Sequence, residues 1–447
     1  IDEECVYGFV GEFDNKYIFG DNIISPTSTN TIKNVFFRSP CTIEHASANF
    51  FFEKYLPCFK SQTEGLIFLF TLLLSTCISR LGNLGTDRPS FILAVIGRTG
   101  SYKTSTVQAT LNPYNNENFS VCSFEDTVAS IVATLKQSRD MITIVDDFYT
   151  NTDREITAKL EKIIRLNGDK SSVAKKMSGK KIVSESSDTI TVVTGEQIPK
   201  VRFSSIPRMF IIDFQEAVNL QALTELQASQ AEFRGALADF IQYTLDDFCI
   251  KLRQKFLDHR DSISHHAAPK WHPRYTSMCC WFLAIYDMFC EYCTTKNISF
   301  TNISDFPSNI RHYIAEQSKR YLENDSIFIF FKTLKSLCGE NKLHTINTSK
   351  ITNDTPKTDI LYSDDYVWIE SVNVFAKIKL ACQNEGILFD LSRQELYQKL
   401  ESEKLLITKD NRRSYEYRKG QFRQSVICLP RNNINRYFAD DKEDIKL

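Results

Sequence analysis

Residues Gly97, Arg98, Thr99, Gly100, Ser101, Tyr102, Lys103, Thr104 and Ser105 have types and spacing that can do chemistry. They follow residues 91–96, a short apolar run without alternation, which reads as a buried parallel strand. A helix is expected from Lys103. A glycine-containing loop in this setting turns backbone N–H groups toward phosphate oxygens, and the helix N-terminus adds a favourable dipole. Lys103 is then expected to reach the β- and γ-phosphates of a nucleotide, and Thr104 to ligate Mg²⁺. The spacing follows GxxxxGK[ST] except at Tyr102, where a second glycine is usual. Gly100 lies two residues earlier and supplies part of the lost flexibility.

A second group is MITIVDDFYT, residues 141–150. An apolar strand ends at Asp146 and Asp147, where open α/β sheets hold their ligands. Asp146 is assigned to Mg²⁺, directly or through water. Asp147 is assigned to polarising an attacking water as general base. The interval after Lys103 has room for a helix and one further strand. A third strand, residues 189–193, ends at Thr194, a polar residue placed to orient that water or sense the γ-phosphate. Arg208, in SSIPRMFIIDF, sits just before a fourth strand. An arginine there suits a finger reaching a neighbouring subunit's nucleotide, with Arg202 as competitor.

Basic residues form two further groups. Lys170, Lys175, Lys176, Lys180 and Lys181 lie between two strands. They read as a hairpin contacting DNA phosphates in a ring channel, or as a solvated face. Near the C-terminus, LSRQELYQKLESEKLLI reads as a helix and residues 412–423 as a basic hairpin. Helix plus hairpin reads as a winged helix in which Arg412, Arg413, Arg418, Lys419 and Arg423 grip phosphates; a packing domain is the alternative. Cys290 and Cys293, with Cys279 and Cys280, lie on an apolar helical stretch and read as buried thiols rather than a zinc site. His259, His265, His266 and His272 lack metal-site spacing.

The elements that must position these residues divide the chain. At 447 residues it exceeds one core, and two or three domains are expected. Residues 1–45 read as short strands, 46–90 as helices, 91–216 as an α/β core, 217–338 as a helical lid, 339–365 as a linker and 366–447 as a small separate domain. The first residue is Ile1, as in a fragment of a longer protein. A net charge of −1 gives no whole-molecule attraction to nucleic acid, so any DNA contact rests on local clusters. The most apolar run, residues 65–78, is shorter than the ~20 residues of a spanning helix and reads as buried, so no membrane partner is expected. An odd number of cysteines, 13, without a signal peptide points to reduced thiols and a cytoplasmic location.

Taken in order, GRTGSYKTS, IVDDFYT, VVTGEQIP and PRMFIIDF resemble the ATPase core of mobile-element and phage primase-helicases, notably the staphylococcal cassette chromosome helicases. The resemblance covers roughly residues 50–300. It implies an α/β fold: a P-loop AAA+-like core related to superfamily 3, with an N-terminal β/helical region, a helical lid and a small C-terminal winged-helix domain. It implies ATP and Mg²⁺ as cofactors, single-stranded DNA as partner, a homo-hexameric ring, and a primase or other replication proteins nearby. In this family the position of Arg208 carries an arginine. Tyr102 departs from the family's usual small residue. Two other readings stay open: an ATP-binding initiator or loader without processive unwinding, and a scaffold in which Tyr102 has spoiled the loop.

Overall fold

Five consecutive apolar residues, Ile92–Ile96, are all buried, so this segment can only be an interior strand. It is the hub of the fold. The computed structural model describes residues 11–19, 22–31, 43–85, 87–113, 121–149, 154–168, 173–174, 184–185, 187–197, 201–215, 218–265, 271–323, 325–387, 389 and 391–435. The chain divides into two units, Ile1–Lys319 and Arg320–Leu447.

In the first unit β1 (Gly11–Phe13), β2 (Lys16–Phe19), β3 (Asn22–Ile24) and β4 (Thr29–Thr31) form an antiparallel meander. Asp14 and Asn15 turn β1 into β2 with φ of 52° and 57°, values that Asp and Asn tolerate in hairpin turns. The apolar run expected to be a buried helix is one. Helix Gln62–Ser75 starts at Ser61, whose side chain accepts from Glu64 N–H at 3.3 Å, and is buried from Gly65 onward. Among the described residues no single helix is long and apolar enough to cross a membrane. The bent pair Gln62–Ser75 and Ile78–Leu84 meets that test by length and composition, yet its apolar side chains except Leu84 pack in the core.

The central sheet holds β5 (Ile92–Ile96), β6 (Val121–Ser123), β7 (Ile142–Phe148), β10 (Ile190–Gly195) and β11 (Met209–Asp213). Between β7 and β10 the chain adds a two-residue pair, β8 (Val173–Ala174) and β9 (Ser184–Glu185), which run antiparallel. All five central strands are parallel, in the order β11-β5-β10-β7-β6. β10 thus enters between β5 and β7. The edge of β11 is closed by buried Gln317, which accepts from Ile211 N–H at 3.0 Å and donates to Ile211 O at 3.3 Å. Helices Leu220–Ala228, Gln230–Thr244, Phe248–His265 and Pro273–Thr295 follow, and Phe256 stacks on Trp281 at 4.2 Å.

The second unit corrects the expected linker and the end of the expected lid. Residues 339–365 contribute β12 (Thr345–Asn347) and β13 (Ile360–Tyr362) to a sheet with β14 (Tyr366–Glu370), β15 (Tyr415–Lys419) and β16 (Phe422–Pro430), in the order β12-β13-β14-β16-β15. Helix Ser326–Gly339 belongs here too, because Ile327, Phe330 and Leu334 share a core with Ile360, Val367 and Ile427. Three-residue strands carry too few alternations to be read from sequence. Helices Asn373–Asn384 and Arg393–Ser402 complete this core, the latter opened by a capping box from Ser392 and Glu395.

One buried carboxylate ties the first unit together. Asp140, fully buried, accepts from Ser79 N–H at 2.7 Å, from the Ser79 hydroxyl and from Glu12 N–H at 3.1 Å, while the Tyr17 hydroxyl donates to its backbone oxygen. It therefore joins the meander, helix Ile78–Leu84 and the start of β7. Burial pushes its carboxyl up from 3.8 to about 6. A carboxyl harder to ionise in the fold favours folding most below its unfolded value, and that contribution is lost as pH rises from about 4 to about 6. Asp140→Asn is expected to destabilise the chain by about 1–3 kcal/mol, since donors lose an acceptor. In urea melts the deficit should shrink as pH rises through that window; a deficit independent of pH would contradict the assignment.

Candidate active site

The C-terminal ends of three neighbouring parallel strands converge. β5 delivers the glycine loop, β7 the two acids, and β10, between them, Thr194. Gly97 N–H donates to Gly195 O at 3.0 Å, and a Cβ on Gly97 would meet Phe214 O at 2.3 Å, so only glycine fits there. Gly100 takes φ +82°. Tyr102 occupies the position of the usual second glycine and adopts its left-handed backbone, with φ 62° and ψ 18°. Such a conformation costs a side-chain-bearing residue about 1–2 kcal/mol. Tyr102 O accepts from Thr106 N–H at 2.9 Å and from the Thr106 hydroxyl at 2.8 Å, which fixes the first helical turn.

The helix Lys103–Leu111 has no side-chain N-cap, so its first N–H groups are open. Lys103 is 9% exposed, and among the described residues its amine has neither ion pair nor hydrogen bond. Its stem is enclosed while its ammonium has no protein partner among those residues, so an anion at the loop would supply one. The Ser101 hydroxyl is also buried without a hydrogen-bond partner. An orphan amine, an orphan hydroxyl and an uncapped helix end together fit a polyphosphate.

The acids are held by hydroxyls. Thr104 Oγ1 donates to Asp146 Oδ1 at 3.0 Å, and Thr194 Oγ1 donates to the same oxygen. Among the described residues Asp146 Oδ2 has no protein donor, which leaves it for a cation or water. Thr194 Oγ1 also accepts from Asp147 N–H at 3.1 Å. Along β10 and β7, Val193 aligns with Val145 but Gly195 with Phe148, so two acids oppose Thr194 alone. This bulge turns Asp147 to φ 65° and exposes its carboxylate. Thr194 itself is fully buried, so its geometry is that of a residue positioning the acids. Residues Thr104 and Asp146, assigned to Mg²⁺, offer the oxygen donors that ion prefers.

Sequence reading overlooked Glu196. Its carboxylate accepts from the Thr99 hydroxyl, tying β10's end to the glycine loop. It stood inside the TITVVTGE motif, but nothing local marks a loop-to-loop contact.

Arg208 ends the short helical segment Phe203–Arg208, and β11 pairs Met209 with Ile92. Arg208 therefore lies at the N-terminal end of the sheet, about 15 Å of strand rise from its own loop. Its guanidinium donates to Ser204 O. Arg202 pairs with Glu161 at 3.2 Å. Lys170, Lys175, Lys176, Lys180 and Lys181 lie outside the described residues, whereas the strands flanking the last four, β8 and β9, pair with each other. In the second unit Arg412 and Arg418 are exposed, but Arg418 pairs with Glu416 at 2.6 Å and Arg413 with Glu401 at 2.5 Å. Cys279, Cys280 and Cys293 are buried, and burial pushes each thiol up to about 12. Tyr102→Gly should relieve the backbone strain and raise unfolding free energy by about 1 kcal/mol. Urea denaturation reads this, and a loss of stability would show that the ring makes compensating contacts.

No family model matches the chain, and no curated protein matches it by sequence. Among solved structures, the SCCmec type IV Cch active helicase is similar with a TM-score of 0.60 at 12% identity, over 97% of this chain and 80% of that one. The NrS-1 C-terminal region (TM-score 0.32, 11% identity, 68% and 85% covered) and the JCV helicase (0.25, 13%, 56% and 64%) resemble it too little to carry an argument. The chain thus shares the fold of a mobile-element helicase, with a five-stranded parallel sheet of P-loop type and its glycine loop and acids at the ends of that sheet.

Proposed function

We propose that this chain is an ATP-dependent DNA helicase or translocase of a mobile element or phage. It works as a ring, most simply a homo-hexamer, on single-stranded DNA in the cytoplasm, beside a primase or other replication proteins. The observation that carries the reading is Lys103, whose amine has no protein partner among the described residues, beside Thr104, whose hydroxyl is bonded to Asp146. In this reading the loop from Gly97 to Ser105 wraps the ATP phosphates, and Lys103 holds the β- and γ-phosphates. Thr104 and Asp146 would hold Mg²⁺, which when bound neutralises charge on the phosphate oxygens. Asp147, turned outward by the bulge, orients the attacking water and accepts its proton. Thr194 keeps the two acids apart and aimed. Arg208 lies too far from its own loop, so it serves a neighbouring copy's γ-phosphate.

The finer domain assignments belong to the same reading. The helices between residues 220 and 295 act as the lid. The second unit runs helix, strand, helix, helix, hairpin, with β14 beside β16, an order that supports a winged helix carrying two extra short strands. Arg412 and Arg418 there, with Arg413 once released from Glu401, would meet DNA phosphates, as would Lys175, Lys176, Lys180 and Lys181 in the ring channel.

ATP hydrolysis and displacement of a labelled strand test the proposal. Single-stranded DNA should stimulate turnover. Lys103→Ala and Asp147→Asn should each lower it by about 100-fold or more, and Asp147→Asn should keep nucleotide binding. Inactive Arg208→Ala mixed with inactive Lys103→Ala should regain part of the activity, because each supplies what the other lacks. Hydrolysis without repeated strand release would favour the initiator or loader reading. Turnover unaffected by Lys103→Ala would overturn the site assignment.

A further inference from the structure

The sheet of the second unit has two unlike faces. Val367, Ile369, Ile427 and Leu429 point into the core that its helices cover. The other face carries rings. Trp368 lies opposite Cys428, Tyr415 opposite Val426 and Tyr417 opposite Gln424, so the three rings stand on one face of β14, β15 and β16. Trp368 Nε1 donates to the Tyr415 hydroxyl at 3.1 Å, reaching across β16, whose Cys428 and Val426 are buried. Trp368 meets Tyr417 edge-on at 5.1 Å. Trp368 and Tyr417 also pack on a small cluster of Ile351, Leu361 and Phe422. These contacts fix the rings, yet each stays only half-buried. Cations border them. The Lys409 ammonium lies 5.5 Å from the centre of the Tyr415 ring. Lys409 and Arg412, both exposed, pair their backbones in the turn that leads into β15. Lys419 follows Tyr415 and Tyr417 at every second position, so it shares their face. Residues 409–423 hold six Lys or Arg against two acids. Glu370 is spent on the N–H groups of Val372 and Asn373. Asp364 and Asp365, in the turn before Tyr366, close that end of the face to an anion.

We propose that this face is a binding site for single-stranded DNA: about two bases stack on Trp368 and Tyr417, while Lys409, Arg412 and Lys419 meet phosphates. The proposal rests on the single-stranded-DNA reading above and gives it a surface. The occupant follows from charge and from the rings together. The excess of cations on the adjoining hairpin matches a polyanion, and rings held on a sheet accept the flat side of any base. A duplex keeps those flat sides in its own stack, so it uses the cations alone. Rings bordered by cations therefore favour unpaired bases over paired ones. Because the Trp368 N–H and the Tyr415 hydroxyl already bond each other, the rings are set in place before a strand arrives.

Fluorescence anisotropy of a labelled oligo-dT reads binding to the full chain, with a duplex of equal length as control. Trp368→Leu and Tyr417→Leu should each weaken oligo-dT binding by about tenfold, and Tyr417→Phe, which keeps the ring, by less than about twofold. Duplex binding should change by less than about twofold in all three. Lys409→Ala should reduce the slope of log affinity against log salt by about 0.7, the share of one phosphate contact on a single strand. Oligo-dT affinity unchanged in both leucine variants would overturn the proposal, with the wider single-stranded-DNA reading left standing. An equal loss for the duplex would give the rings a structural role and overturn it too. Photocross-linking of wild type to an oligonucleotide containing iododeoxyuridine, mapped by mass spectrometry, needs no variant to fold. It should label Trp368 or Tyr417, and labelling confined to other residues would overturn the site. If wild type binds no oligo-dT, the single-stranded-DNA reading falls and this site falls with it.

Discussion

One carboxylate oxygen accepts two hydroxyls from two different segments. Asp146 Oδ1 takes Thr104 from the phosphate-loop helix and Thr194 from β10. These contacts require β10 to lie between β5 and β7, which is the strand order observed. The parallel order in turn requires crossover helices on the sheet's faces, and these bury both sides of β5. With the acid pinned through one oxygen, its other oxygen stays open. The hydroxyls thus set the acid's orientation without neutralising its charge, which suits a group that must hold a cation.

Left-handed backbone occurs on both sides of the same point. Tyr102 and Asp147 are both non-glycine residues with positive φ, one on each side of the site. The two are strained for different reasons. The loop must reverse direction before Lys103, and the bulge on β7 must turn Asp147 outward while Phe148 returns to the core. The core supports this. Phe148 packs edge-on against Phe124 at 5.3 Å, and Thr194 holds the Asp147 N–H. Strain of about 1–3 kcal/mol per residue persists only where surrounding contacts over-determine it.

The motif residues were legible because strand, loop and helix signals fall in register around them. Thr104, Asp146 and Thr194 are joined by hydrogen bonds, and the apolar run before Thr76 is a buried helix. What escaped was long-range or short. Glu196 finds Thr99 across 97 positions, a pairing no local pattern encodes. Nothing local in the sequence marks Asp140, yet three segments depend on it. Residues 339–365 looked polar because their buried side chains, such as Leu343, Ile351 and Ile360, are isolated between turns. The boundary between the two units falls inside helix Phe306–Glu323, where composition does not change.

The claim on which all else stands is that Lys103, Thr104 and Asp146 form one site for magnesium and a nucleoside triphosphate. Calorimetric titration of wild type and Lys103→Ala with a non-hydrolysable ATP analogue, with and without Mg²⁺, tests it most directly. The account predicts saturable binding by wild type that Mg²⁺ strengthens at least tenfold, and loss of that binding in Lys103→Ala. Equal binding by both chains, or no binding by wild type in the presence of Mg²⁺, would contradict it.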